Sequence, residues 1–219
     1  MSVSRWERLA PLTGVAFVVL YFVGFGLIGE VGRTSTPTSV QIVDLLTDGS
    51  RPRLVGVYLS LVAVAFLLWF VGSVRVTLRG AEGALGRLSA VAFGGGVAAG
   101  AALLIGFASI GAATMRADST QGIGPEAAIV FYDLYRSLIS VSAIGFGVLI
   151  GAAAVVAFRT GAFPPWLTWS SAFVAIGLVS PVLFFFVFIA LIWVLVVSIW
   201  LFIQNRTGVD TENATEAPT

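Results

Sequence analysis

The sequence predicts an all-α membrane protein, a polytopic bundle of six transmembrane helices arranged as three hairpins. Of its 219 residues, 58% are hydrophobic and only 11% are charged, whereas soluble domains average about 25% charged residues. Residues 160–205 contain neither a charged side chain nor a histidine. As a single helix this stretch would be about 69 Å long. Because a hydrocarbon core is only about 30 Å thick, the stretch must cross the bilayer twice.

A turn at Ser180-Pro181 divides this stretch into the predicted fifth and sixth spans, residues 166–180 and 182–203. Proline cannot continue a helical hydrogen-bond ladder, and it disfavours helical geometry in the residue before it. The last helical hairpin is therefore expected to reverse direction at this point.

The other four spans follow from apolar runs that are separated by charged loops. They are residues 12–29, 54–74, 88–113 and 138–158. A transmembrane helix needs about 20 predominantly apolar residues, so each run is a suitable length. The six-helix domain then covers residues 1–206, and the polar, acidic residues 207–219 are predicted to form a disordered cytoplasmic tail.

The first outer loop, residues 30–53, is predicted to contain a short interfacial helix. Thr38 and Gln41 have the spacing of a capping box, and Pro37 is expected at the first helical position. Apolar residues between 40 and 46 supply one hydrophobic face, and Gly49 is a suitable end. Because this helix is too short to span, we expect it to lie across the outer mouth of the bundle.

The fourth span is expected to belong to a longer helix that begins outside the membrane. Pro125 is suited to a first helical turn, and Glu126 complements the positive end of the helix dipole. This helix is predicted to continue without a break to Phe158.

The distribution of arginine predicts the orientation, since the chain contains no lysine. Six spans place both termini on one face of the membrane. Seven arginines lie on that face (Arg5, Arg8, Arg75, Arg79, Arg87, Arg159 and Arg206) and five on the other (Arg33, Arg51, Arg53, Arg116 and Arg136). Positive residues accumulate on the cytoplasmic side, so a multi-pass plasma-membrane protein with both termini in the cytoplasm is predicted.

Two small-residue motifs predict how the third and fourth helices pack. The third helix contains Gly96 and Gly100, and the fourth contains Gly147 and Gly151, each pair four residues apart. Helices in lipid associate through close packing of small residues, so these glycines are expected to form a backbone-to-backbone contact.

A candidate polar site is predicted at the outer end of the bundle. Asp133, Ser137 and Ser140 share one stripe of the fourth helix, which we expect to face protein rather than lipid. Arg136 lies one turn from Asp133, and the ends of the adjacent first and second spans supply partners. The candidate residues are Glu30, Arg53, Asp133, Arg136, Ser137 and Ser140. The alternative is that they form structural salt bridges at helix ends.

Most catalytic chemistry is excluded by composition. The chain contains no cysteine, histidine or lysine, which removes thiolate metal sites, the usual zinc ligand and Ser–His or Ser–Lys catalysis. No catalytic motif occurs, and no cofactor or metal site is expected. The net charge of +1 suggests no nucleic-acid partner. The sequence therefore predicts a protein that is not an enzyme.

Three short segments at the predicted inner loops suggest a resemblance. They are residues 9–12 (LAPL), 79–83 (RGAEG) and 159–167 (RTGAFPPWL). In these segments the chain resembles uncharacterised bacterial six-helix integral membrane proteins, of the kind grouped as domains of unknown function. Such families carry no assigned activity, so the resemblance implies only the layout.

Two functions are compatible with this prediction. The first, which is the leading prediction, is a small transport-like or solute-sensing protein with an outward-facing polar site and a small solute as ligand. The second is a structural or accessory subunit that binds another membrane protein through its transmembrane surface. A transporter should contain a polar cavity that descends past Ser140. An accessory subunit should form a closed bundle with an exposed face rich in glycine and alanine.

Overall fold

The structure is a computed structural model that describes residues 10–29, 37–83, 86–179 and 183–215. For residues 179, 183–186 and 205–215 it describes only the backbone. Throughout these ranges the regular secondary structure is helical, without a β-strand. The prediction of an all-α protein is therefore confirmed for the described part of the chain.

Seven α-helices follow one another in the described ranges. A short 3-10 turn, Ala10–Leu12, leads into the first of them. The helices are α1 (Thr13–Ile28), α2 (Ser39–Thr47), α3 (Ser50–Glu82), α4 (Arg87–Ala117), α5 (Pro125–Thr160), α6 (Pro165–Val179) and α7 (Leu183–Thr215).

Five helical segments in the described ranges are long and apolar enough to cross a bilayer. They are Ala10–Ile28, Ser50–Glu82, Arg87–Ala117, Pro125–Thr160 and Val187–Gln204. Helix α6, which the sequence predicts as the fifth of six spans, has 15 residues and is shorter than these. The chain therefore has the architecture of a membrane protein, with five spans supported by length and composition.

Helix α2 confirms the predicted short helix in the first loop. The Thr38 hydroxyl accepts a hydrogen bond from the Gln41 backbone N–H at 3.4 Å, and the Thr38 N–H donates to the Gln41 side chain at 2.9 Å. The predicted place of Pro37 at the first helical position is wrong, because Thr38 is the N-cap and the helix begins at Ser39. Ile42 and Leu46 are fully buried, so α2 is docked on the bundle.

Helix α5 is continuous from Pro125 to Thr160, as the sequence predicts. Helix α7 is longer than predicted. Its backbone continues to Thr215, whereas the sequence predicts a disordered tail from residue 207. Propagation of an existing helix costs little per residue, and no proline occurs between residues 204 and 215 to stop it.

Helices α4 and α5 form the most extensive interhelical contact among the described elements. They run antiparallel, because Gly95 lies against Gly145 near one end and Gly106 lies against Leu138 near the other. A Cβ atom added at Gly145 would lie 2.5 Å from the backbone nitrogen of Ala99. The two backbones therefore approach as closely as only glycine permits.

Helices α6 and α7 form a second antiparallel pair. The Trp193 indole N–H donates to the Ser171 hydroxyl over 2.7 Å, and both side chains are buried. Near the opposite end of the pair, the rings of Phe163 and Trp200 meet edge to face at 5.1 Å between centroids. At the start of α7, Phe188 packs against Phe25 of α1, with ring centroids 6.0 Å apart.

Candidate functional site

Arg53 is the best-defined polar side chain at the predicted outer end of the bundle. It lies in the first turn of α3, after Gly49, which adopts a left-handed conformation with φ +72°. Only 5% of Arg53 is exposed. Its Nε donates a hydrogen bond to the Ile28 carbonyl at 2.9 Å, and its Nη2 donates to the Asp48 carbonyl at 3.1 Å.

Both acceptors lie at helix C-termini. Ile28 is the last residue of α1, and Asp48 is the C-cap of α2. The last carbonyl groups of a helix have no partner within it and carry partial negative charge. Arg53 therefore joins two helix ends with one cation. Its third nitrogen, Nη1, is buried and forms no hydrogen bond with any described residue.

The predicted pairing of Glu30 with Arg53 lies outside the described residues, since Glu30 is not among them. Arg53 itself is buried as the sequence predicts for a boundary charge. Its hydrogen-bond partners are backbone carbonyl groups, which no side-chain pattern in the sequence reveals.

The prediction that the stripe of Asp133 and Ser137 faces protein is wrong. Both residues are exposed, and Ser140 is half-buried, with its hydroxyl donating to the Arg136 carbonyl of the same helix at 3.0 Å. Relative to the predicted stripe, the buried face of α5 is rotated about the helix axis by about one residue, or 100°. It is formed by Tyr132, Tyr135, Ile139, Ala143, Phe146 and Ile150.

Arg136 is half-buried, and its guanidinium lies 6.0 Å from the centroid of the Tyr132 ring. The structure therefore brings Arg136 towards the protein while it leaves Asp133 on the surface. Of the five predicted site residues that the structure describes, Arg53 is buried, Arg136 and Ser140 are half-buried, and Asp133 and Ser137 are exposed.

Aromatic and aliphatic side chains fill the bundle beneath Arg53. The Phe107 ring meets Tyr21 at 5.8 Å and Tyr135 at 6.1 Å, measured between centroids. Ile139 and Phe146, deeper along α5, are at most 3% exposed. Along this part of the described core, apolar packing occupies the path that a polar cavity past Ser140 would follow.

The predicted packing of the third span on the fourth, α4 on α5, is confirmed, but Gly96, Gly100 and Gly151 do not form the contact. Gly96 and Gly100 instead face α3, where added Cβ atoms would lie 2.6 Å from Val71 and 3.2 Å from Leu68. On α5, Gly147 is buried, and Gly151 faces Ala175 of α6. The α4–α5 contact is made by the neighbouring glycines described above.

An apolar groove lies on the exposed side of the α4–α5 pair, between the two helices. Its volume is about 420 Å³, and it is lined by both helices. Its lining includes the exposed Gly94, which has open space where a Cβ would be, and the buried Gly95 and Gly145. The walls are Val91 and Ala98 from α4 and Val141, Ile144 and Val148 from α5.

The chain matches no known family model, and no curated protein or solved structure matches it significantly. The resemblance to bacterial six-helix membrane proteins stays a prediction. In the described residues, no group of three acidic side chains comes together as a candidate metal site.

Proposed function

We propose that the protein is a structural or accessory subunit of a membrane assembly, and that it binds a transmembrane helix of its partner in the α4–α5 groove. The observation that carries this proposal is an apolar concavity whose lining includes the exposed Gly94. Alanines of α4 extend the same small-residue face, since Ala90, Ala98 and Ala101 are also exposed. Lipid tails are as apolar as this surface, so a partner is bound there through close packing.

The packed interior favours this role over solute transport. The side chains expected to line a polar pathway, Asp133 and Ser137, lie on the surface instead. The neighbouring core positions are filled by Phe107, Tyr135 and Phe146. A closed bundle with a small-residue outer face is what an accessory subunit needs.

Replacement of Gly94 by leucine is expected to abolish partner binding without unfolding the protein. The new side chain would fill the groove, whereas no atom lies within 4 Å of its Cβ position. With a photo-crosslinking amino acid at Ala98, the native background should give a discrete protein adduct in membranes. Gly94→Leu should eliminate that adduct.

Gly26→Leu is the matched control, because Gly26 is also exposed in a helix with open space around it but lies on α1, away from the groove. This variant should preserve the adduct. A crosslinker at Val19, which is 54% exposed on α1, should react only with lipid. If position 98 also gives only lipid adducts, the accessory role is wrong.

We further propose six membrane crossings, with both termini on the cytoplasmic side of the plasma membrane. Phe163 packs on Trp200, while Phe188 packs on Phe25 of α1. Helix α6 thus connects opposite ends of the bundle, although its 15 residues span only about 22 Å. Local thinning of the bilayer accommodates such a short helix.

The outer face of α6 supports its contact with lipid. Trp166, Trp169, Phe173 and Ile176 follow helical spacing and are 59–74% exposed. A continuous stripe of large apolar side chains is unfavourable in water and suited to hydrocarbon. Helix α6 is therefore proposed as a further span, which gives six crossings together with the five long segments.

Single cysteines give a direct test of this topology, since the chain has none of its own. Six crossings predict that Ala162→Cys and Ser180→Cys react with a membrane-impermeant maleimide from opposite faces. Ser119→Cys, in the loop between α4 and α5, should react from the same face as Ser180→Cys. Labelling is measured in right-side-out and inverted vesicles. Reaction of positions 162 and 180 from one face would instead establish five crossings.

The second candidate function is solute sensing at the outer mouth. One observation favours it: Arg53 is buried, and its Nη1 has no hydrogen-bond partner among the described residues. A buried charged group at a membrane boundary is a reasonable binding group for an anionic solute. Binding of a small carboxylate that is lost in Arg53→Met and retained in Gly94→Leu would favour this candidate over the accessory role.

A further inference from the structure

A second cavity lies at the end of the α4–α5 hairpin where the connecting loop joins the two helices. It has a volume of about 510 Å³ and is enclosed by the last turns of α4, the first turns of α5 and the loop that joins them. Helix α4 contributes Ala112 and Arg116, the loop contributes Gln121 and Ile123, and α5 contributes Ala127 and Phe131.

The lining of this cavity changes from polar to apolar along the bundle axis. Arg116 lies in the last turn of α4, and Gln121 lies in the loop beyond it. Ala112 lies one turn, or about 6 Å, closer to the middle of the helix. Phe131 lies six residues, or about 9 Å, inside the N-terminal end of α5. The cavity therefore has a cationic part near the connecting loop and a hydrophobic part nearer the middle of the helices.

The charges around the cavity leave Arg116 as its cationic group. Asp118, the nearest acidic residue in the sequence, accepts a hydrogen bond from the Ser50 hydroxyl of α3 at 3.1 Å. Glu126 is exposed in the first turn of α5 and complements the dipole of its own helix. Arg116 is exposed, so its guanidinium is accessible to a ligand.

We propose that this cavity binds a membrane phospholipid, with the phosphodiester group at Arg116 and one acyl chain along Ala112 and Phe131. Arginine is suited to phosphate because its planar guanidinium presents several N–H donors. The hydrophobic part of the cavity would contribute nothing to binding of a free phosphate ion, but it would contact an acyl chain. Arg116 follows the apolar body of α4, which places it at headgroup depth.

The site is distinct from the α4–α5 groove, because the two share no lining residue. Its expected role is to hold one lipid at the loop end of the hairpin. Lipid binding at this cavity is therefore independent of whether the α4–α5 groove binds a partner helix.

Native mass spectrometry of the full-length protein in detergent tests the proposal. The probes are phosphatidylglycerol, a diacylglycerol with the same acyl chains, and inorganic phosphate. Phosphatidylglycerol should form a one-to-one adduct that Arg116→Gln weakens about fivefold, the effect of one cationic contact near a membrane surface. Diacylglycerol should bind more weakly than phosphatidylglycerol, and Arg116→Gln should not change its binding.

Two further variants test the shape of the site. Ala112→Phe fills the apolar part without changing charge, so it should weaken the phosphatidylglycerol adduct. Ala90→Phe is the matched control, because Ala90 is also exposed but lies at the other end of α4 and outside the lining, so it should have no effect. Arg51→Gln is the matched charge control, because Arg51 is exposed and does not line the cavity.

The proposal is overturned if Arg116→Gln binds phosphatidylglycerol as the native protein does, or if Ala112→Phe leaves the adduct unchanged. Displacement of the lipid by millimolar inorganic phosphate would assign the cavity to free phosphate and would also overturn it. Equal weakening by Arg51→Gln would reduce the effect to general surface charge, with the same consequence.

Discussion

Gly145→Ala is expected to destabilise the folded protein by about 2–3 kcal/mol, although alanine is the better helix former by about 1 kcal/mol. The added Cβ would lie 2.5 Å from the backbone nitrogen of Ala99 and 2.7 Å from the carbonyl oxygen of Gly95. No rotamer change relieves a contact between two backbones. Helices α4 and α5 must therefore separate, and their close packing is lost along the pair.

Gly94→Ala is the control for this experiment. Gly94 is next to Gly95 in α4 but faces the surface, and its Cβ position is open. Its replacement by alanine should leave stability unchanged or raise it by up to about 1 kcal/mol. Both free energies of unfolding are measured by titration of the detergent-solubilised protein with a denaturing detergent. Equal stability of Gly145→Ala and the native protein would contradict the close contact.

The contrast between Gly94, Gly95 and Gly96 explains what the sequence could not predict. Three consecutive glycines face three directions: Gly94 faces the surface, Gly95 faces α5, and Gly96 faces α3. In a soluble protein, polar residues on the outer face would orient the helix. In a bilayer both faces are apolar, so hydropathy does not distinguish adjacent positions that differ by 100° of rotation.

The same ambiguity explains the failure of the predicted polar stripe. Asp133, Ser137 and Ser140 have correct helical spacing, but spacing alone does not show which side of α5 faces the core. Tyr132 and Tyr135 were the better signal, because large aromatic side chains bury most area. Both are at most 3% exposed.

Most features that depend on local sequence are predicted correctly, with the position of Pro37 as the exception. The capping box of α2 depends on Thr38 and Gln41 alone, and the start of α5 depends on Pro125 and Glu126. The absence of charge over residues 160–205 predicts apolar helices there without knowledge of their neighbours. The predicted helix ends are less accurate, since a helix such as α7 continues beyond its apolar part wherever no residue stops it.

The hydrogen bonds of Arg53 could not be predicted from the sequence, because their acceptors are backbone carbonyl groups. They predict a specific consequence for α2. Since Arg53 joins Ile28 to Asp48, loss of the guanidinium should release the C-terminal end of α2 from that of α1. The buried residues Ile42 and Leu46 would then be the main attachment of α2 to the bundle.

Arg53→Met is therefore expected to destabilise the protein by about 2 kcal/mol. Each hydrogen bond from a charged donor contributes about 1.5–3 kcal/mol, and the two carbonyl groups would be left without their donor. Removal of a buried charge offsets part of this loss, because burial of an ion costs several kcal/mol. Arg53→Lys should have an intermediate effect, since a single ammonium lacks the fork that reaches both carbonyls.

Hydrogen exchange separates this local effect from general destabilisation. In Arg53→Met, the amide protons of residues 39–48 should exchange faster by a larger factor than those of α4 and α5. Arg51→Met is the control, because Arg51 is exposed and lies two residues away on the same turn. A variant of Arg53 that is as stable as the native protein, with α2 equally protected, would show that apolar contacts alone hold this helix. In that case Arg53 would be available for an anionic solute, and the second candidate function would gain support.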